Sequence, residues 1–145
     1  MNVDECLKEG ILAKIAPDRG KAESSLRMAA HKLSLAEKEI EHGIYENAVL
    51  SAYTAMFHAA RALLFRDGFK ERSHYAVFVY LNEIYSGRLE KKYLNRLNAL
   101  RLQRHELMYG IEGTEQATKE ETREIAESAK GFLEAVKELL VYRKQ

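Results

Sequence analysis

The chain has 145 residues, of which 46% are hydrophobic, so it can bury one core and has little room for a second domain. Its 23 basic residues nearly balance its 22 acidic residues, which excludes a global field that attracts nucleic acid or an anionic membrane, so any such binding must be local. A single cysteine, Cys6, excludes an intramolecular disulfide, and the absence of a membrane-spanning or signal-like apolar run favours a cytoplasmic protein.

Strong helix formers dominate the sequence, which contains one proline, and candidate strands are hard to find. Single glycines at positions 43, 68, 87 and 110 follow helix-period segments, where left-handed C-cap residues are expected. We therefore predict an all-α, up-and-down bundle of four long helices plus short helices. Residues 1–20 are predicted as a short helix and turn, and residues 21–145 as the bundle, together forming a single domain.

Apolar periodicity places the helices in chain order. Residues 2–15 have apolar side chains every four positions and end at a turn over residues 17–20. Long helices are predicted over 21–42 and 44–67, and Ser73 is a candidate N-cap for a short helix. Two more long helices are predicted over 89–109 and 118–143, with a loop containing residues 113–114 between them.

One residue of the helix predicted over 89–109 breaks its apolar stripe. The stripe reads Tyr93, Leu97, Leu100, Arg104 and Leu107, so an arginine stands where an apolar residue is expected. Arg104 either lies at the edge of the stripe and sends its guanidinium to water or a carboxylate, or it faces a cleft or partner subunit and binds phosphate oxygens. The sequence leaves both interpretations open.

The neighbours of Arg104 add candidate ligands. Arg101, His105 and Tyr109 are spaced by four and line one helical face, so a phosphate binder adjoins a side chain capable of acid–base chemistry. Residues 88–105 carry six basic residues and one Glu, whereas residues 111–127 carry six Glu and two basic residues. These runs either pair within one monomer or leave a basic groove for an RNA backbone.

A second polar stripe runs along the helix over 44–67 and is placed to border the same cleft. It comprises Ser51, Thr54, His58 and Arg61. Taken alone, His58 is more typical of a hydrogen-bonded, half-buried histidine than of a catalyst, and His74 is equally ambiguous. No histidine or carboxylate spacing resembles a metal site, and no glycine-rich phosphate loop is present, so we predict no metal and no cofactor.

Residues 45–64, YENAVLSAYTAMFHAARALL, resemble the signature of small stand-alone prokaryotic HEPN (higher eukaryotes and prokaryotes nucleotide-binding) proteins. Gly68, the Ser73-His74 pair and residues 104–109 extend the resemblance over residues 22–142. The resemblance implies a helical bundle that forms a homodimer with a shared cleft. Members are similar to metal-independent ribonucleases with an Arg, four to six intervening residues and a His, to toxins paired with a nucleotidyltransferase antitoxin, or to nucleotide-binding modules.

This sequence departs from that ribonuclease motif. Counted from Arg104, the positions expected to hold the His are Tyr109, Gly110 and Ile111, and His105 comes too early. Three hypotheses follow: a toxin-like, metal-independent endoribonuclease or RNA-binding protein; a non-catalytic module that binds a nucleotide or a nucleotidyltransferase, with Tyr109 as a modification acceptor; or a structural dimer. The candidate catalytic residues are Arg104, His105 and His58, and the candidate phosphate or nucleotide ligands are Arg101, Arg104, Tyr109 and Arg61.

Overall fold

The computed structural model describes residues 1–108 and 117–142. Within these residues, helices and strands follow in the order α1 (Val3–Glu9), β1 (Leu12–Lys14), α2 (Arg19–Glu41), α3 (Tyr45–Asp67), β2 (Phe69–Glu71), α4 (His74–Ile84), α5 (Lys91–Met108) and α6 (Lys119–Tyr142). Helices α2, α3, α5 and α6 are long, whereas α1 and α4 are short. The all-α bundle of four long helices plus short helices is thereby confirmed.

Helix α3 lies at the centre of the bundle and contacts α2, α4, α5 and α6. Its many alanines, including the fully buried Ala52 and Ala59, allow neighbouring helices to approach closely. By length and composition α3 could cross a membrane, but 78% of its most apolar window is buried inside the protein. We therefore interpret α3 as the core helix of the bundle.

The N-terminal residues depart from the prediction. Gly10 ends α1 in the left-handed conformation, with φ of 75°, so the chain leaves the helix before the apolar spacing ends. The following residues form β1, which pairs with β2 in an antiparallel, two-stranded sheet that places Leu12 opposite Glu71. The predicted turn over residues 17–20 is also wrong, because Asp18 accepts a hydrogen bond from the Lys21 amide at 2.9 Å and caps α2.

The other helix ends largely follow the expected signals. Ser73 caps α4 by accepting a hydrogen bond from the Ala76 amide at 3.1 Å, as predicted. Gly68 ends α3 with φ of 93°, and Gly43 has φ of 73°. Gly87 does not close a helix, since α4 ends at Ile84 and its C-cap is Tyr85. The predictions for Gly110 and the loop over 113–114 lie outside the described residues.

A buried polar network joins the end of α3 to α4 and α6. The Asp67 carboxylate accepts hydrogen bonds from the hydroxyls of Tyr80 at 2.8 Å and Tyr85 at 2.5 Å. Arg66 donates to the Tyr85 hydroxyl at 2.7 Å and to the Leu139 carbonyl oxygen of α6 at 2.9 Å. These bonds satisfy polar groups that would otherwise be costly to bury.

Candidate phosphate-binding site

Two side chains from different helices meet beside the bundle core. The Tyr53 hydroxyl of α3 and Nδ1 of His74, the first residue of α4, lie 2.7 Å apart and share a hydrogen bond. The imidazole also stacks on Phe57 of α3, with ring centroids 4.1 Å apart and planes 16° apart. Because the Ser73 cap fixes the start of α4, the backbone holds His74 against this aromatic surface.

The side chain of Arg104 on α5 lies beside the Tyr53–His74 pair. Its guanidinium carbon lies 6.0 Å from the centre of the Tyr53 ring, within the range of a cation–π contact. Its side chain is only partly buried, whereas Leu97 and Leu100 on the same stripe are buried. Arg104 therefore leaves the core at its edge and places its charge beside the Tyr53–His74 pair.

Arg101 lies one turn earlier on α5 and is held in place by neutral groups. Its Nε and Nη2 atoms donate to the Asn98 side-chain oxygen at 3.2 and 3.0 Å. Its guanidinium carbon lies 5.1 Å from the centre of the Tyr75 ring, next in sequence to His74. Within the described residues, neither Arg101 nor Arg104 forms an ion pair with a carboxylate.

Half of the predicted polar stripe on α3 joins this cluster. The His58 ring lies edge-on to Phe57, with centroids 5.9 Å apart, and Arg61 lies 5.6 Å from the same ring. Arg61 also donates to Glu71 of β2 at 2.7 Å, so a carboxylate offsets its charge. The other two residues of the stripe form hydrogen bonds elsewhere. Ser51 donates to Glu39, and Thr54 donates to the Leu50 carbonyl oxygen.

The electrostatics of the cluster keep its hydrogen-bonded pair neutral. Burial, followed by Arg104, Arg61, Arg101 and His58, lowers the pKa of His74 to about 4. Burial raises the pKa of Tyr53 to about 12, although Arg104 and Arg101 act in the opposite direction. Near neutral pH, the positive charge beside the pair therefore belongs to the guanidinium groups.

The three remaining predicted site residues are His58, His105 and Tyr109. His58 is partly buried, and its pKa is lowered by burial, Arg61 and Lys32. His105 is exposed on α5, and it is not among the described groups that shift the pKa of His74. Tyr109 lies outside the described residues.

The basic run of residues 88–105 divides into two parts. Lys92 and Arg96 line a groove of about 320 Å³ between α5 and α6, together with Glu124 and Glu127. This half therefore has acidic neighbours within the same monomer, as one interpretation of the charge pattern predicted. The other half, around Arg101 and Arg104, faces the Tyr53–His74 pair instead.

Two other kinds of site that the sequence could form are a metal site and a reactive thiol. In the part of the chain that the structure describes, no group of three or more His, Cys, Asp or Glu side chains is arranged to hold a metal ion. Cys6 is fully buried, and burial raises the pKa of its thiol, which disfavours a nucleophilic role.

The profile of the HEPN domain matches residues 22–139, most of the chain. This chain belongs to the HEPN family. The matched range of this HEPN protein includes α3, α4 and α5 and hence every described residue of the cluster, whereas α1 and β1 precede it.

Two archaeal relatives of this HEPN protein are similar in sequence. A protein of Methanocaldococcus jannaschii named "Putative toxin MJ0605" is 30% identical over 132 residues, which cover 84% of this chain and 90% of that protein. A "UPF0332 protein" of Archaeoglobus fulgidus is 42% identical over 52 residues, which cover 36% of this chain and 42% of that protein. The first relative thus aligns along most of its length.

Proposed function

We propose that this HEPN protein is a toxin-like, metal-independent endoribonuclease that binds the RNA backbone at the Arg101–Arg104 cluster. The observation that carries the proposal is the pair of guanidinium groups, which lie beside a neutral Tyr–His pair and have no carboxylate partner within the described residues. Arginine matches phosphate oxygens with two parallel hydrogen bonds, which makes a bound phosphate diester the natural counter-charge. The name of the Methanocaldococcus relative supports a toxin-like role.

Cleavage without a metal would rely on these guanidinium groups for charge stabilisation. The ribose 2′-oxygen bonds to the adjacent phosphorus and the bond to the 5′-oxygen breaks, so negative charge develops on the phosphoryl oxygens that Arg101 and Arg104 bind. His58 belongs to the cluster and His105 follows Arg104 on α5, so these are the candidates that accept the 2′-hydroxyl proton or donate one to the leaving oxygen.

A homodimer formed through α5 would place His105 at the interface between the two subunits. On α5, Leu102 and Met108 are 54% and 55% exposed, and with His105 they are spaced by three on one exposed face. We propose that this face packs against a second copy of the chain. Sedimentation equilibrium should then report a dimer that Leu102→Glu dissociates, whereas a monomeric wild type would contradict this part of the proposal.

The cleavage test uses purified protein, mixed cellular RNA and EDTA. Arg104→Ala should abolish cleavage while leaving the helical circular dichroism signal intact. Arg96→Ala is the matched control, because it removes the same charge from the same helix at the groove with α6. Equal cleavage by wild type and Arg104→Ala would indicate a contaminating nuclease or a mechanism without Arg104.

The second candidate is a non-catalytic module that binds a nucleotide or docks a nucleotidyltransferase. The specific observation in its favour is that Tyr109, Gly110 and Ile111 stand where the ribonuclease motif would place its histidine. Without that histidine, the motif lacks its expected acid–base group. Failure of wild type to cleave RNA, together with stabilisation of about 2.7 kcal/mol by a nucleotide at 100 times its Kd, would favour this module.

A further inference from the structure

The hydrogen bond between Tyr53 and His74 determines which imidazole nitrogen carries the proton. Tyr53 is only 2% exposed, and a buried hydroxyl proton is costly unless it has an acceptor. Within the described residues, the partner of this hydroxyl is Nδ1 of His74 at 2.7 Å. Tyr53 therefore donates to Nδ1, and in a neutral imidazole the proton must then be on Nε2.

The surroundings of His74 favour a neutral donor. Its Nε2 atom forms no hydrogen bond within the described residues, and the side chain is only partly buried. Phe57 stacks on the ring and the Ser73 cap holds the backbone, so the imidazole has little freedom to turn. A low pKa of about 4 keeps the ring uncharged among the neighbouring guanidinium groups.

We propose that His74 binds an RNA phosphate through Nε2–H, together with Arg101 and Arg104, and that Tyr53 is the positioning residue that fixes this tautomer. The proposal rests on the proposed function, because it adds a third ligand to the same phosphate. It assigns an imidazole from α4 to this site, whereas the sequence has no histidine at positions 109–111. The N–H donor adds a third directional hydrogen bond to those that the two guanidinium groups supply.

Binding of an RNA analogue that resists cleavage tests the role of His74. The probe is a fluorescent 2′-O-methyl oligouridylate, which has no free 2′-hydroxyl to attack phosphorus, and the readout is fluorescence anisotropy. His74→Ala and Arg104→Ala should each weaken binding about tenfold, the effect of losing a hydrogen bond to a charged group. His74→Gln should recover most of the affinity because its amide supplies an N–H donor, and Arg96→Ala should bind as wild type.

The proposed role of Tyr53 is tested by NMR, which reports which nitrogen of His74 carries the proton. In protein labelled with ¹⁵N-histidine, we expect His74 to have a protonated Nε2 and a hydrogen-bonded, unprotonated Nδ1. Tyr53→Phe should move the Nδ1 resonance toward that of an unbonded imidazole nitrogen and weaken binding of the probe several-fold, about half the effect of His74→Ala on a logarithmic scale. The wild-type spectrum tests the tautomer even where a variant folds poorly.

The outcomes separate the two proposals. If Arg104→Ala weakens binding but His74→Ala does not, the role of His74 is refuted and the proposed function stands. A proton on Nδ1 in the wild-type spectrum would refute the tautomer and with it the inference. If wild type does not bind the probe at all, both proposals fail.

Discussion

Moderate acid should destabilise this HEPN protein through His74. The folded-state pKa is about 4, below the ordinary value of 6.5, so between these values the unfolded chain binds a proton that the folded chain does not. The contribution of the neutral ring to stability is therefore complete above pH 6.5 and is lost as the pH falls toward 4. The full shift corresponds to about 3 kcal/mol. Between pH 7 and pH 5 only part of this loss is reached, and solvent screening of the partly exposed side chain lowers it further, to about 1–2 kcal/mol.

Urea unfolding followed by circular dichroism measures this effect. The free energy of unfolding of wild type should fall by about 1–2 kcal/mol more than that of His74→Gln over this pH range, because glutamine cannot titrate. His31→Gln is the matched control, since His31 is exposed on α2 and is not among the described groups that shift the pKa of His74. Inorganic phosphate should reduce the acid effect by neutralising the nearby guanidinium charges. Identical pH dependence in wild type and His74→Gln, or an ordinary pKa for His74 by NMR titration, would refute the reasoning.

Three further predictions concern stability and are checked by urea unfolding. Tyr85→Phe should cost about 2–3 kcal/mol, because it removes a buried hydroxyl bonded to Asp67; a change below the experimental error would mean that water replaces it. Gly68→Ala should cost about 1–3 kcal/mol, since φ is +93° and a Cβ would lie 2.9 Å from a backbone oxygen, and Gly43→Ala, with open space around its Cβ, should cost less. Phe132→Ala, at a fully buried position, should cost about 3–5 kcal/mol, and a much smaller loss would indicate that the core closes around the cavity.

Local sequence signals were sufficient for the helices because the long helices carry apolar stripes and several helix ends carry a side-chain cap or a left-handed glycine. Ser73 shows this: its hydroxyl satisfies an amide only three residues away, so the cap is visible in the sequence. The strands could not be found in the same way. Each contains three residues, and β1 pairs with β2 across more than 50 residues, a contact that no local pattern specifies. Gly10 was the available signal that the first helix ends early.

The residues of the candidate site also differ in whether a local sequence signal marks them. Arg104 was recognisable because it interrupts a period within one helix, and His58 and Arg61 because they share a face of another. Tyr53 was hidden among the apolar residues of α3, and its partner His74 is 21 residues away on a separate helix. The sequence therefore predicted the cations but not the neutral pair beside them.

Under the proposed function, Arg104 serves ligand binding more than folding, and a contrast among the arginines supports this part of the proposal. Arg61 and Arg66 each have a carboxylate partner, whereas Arg101 and Arg104 have none within the described residues. Arg104→Leu would continue the apolar stripe of α5 and relieve repulsion from Arg101. We therefore expect unchanged or slightly higher stability, by about 0–1 kcal/mol, together with about tenfold weaker RNA binding. Urea unfolding and anisotropy on the same variant test both parts. A clear loss of stability in Arg104→Leu would mean that the Tyr53 contact is structural and that the missing carboxylate has no bearing on function.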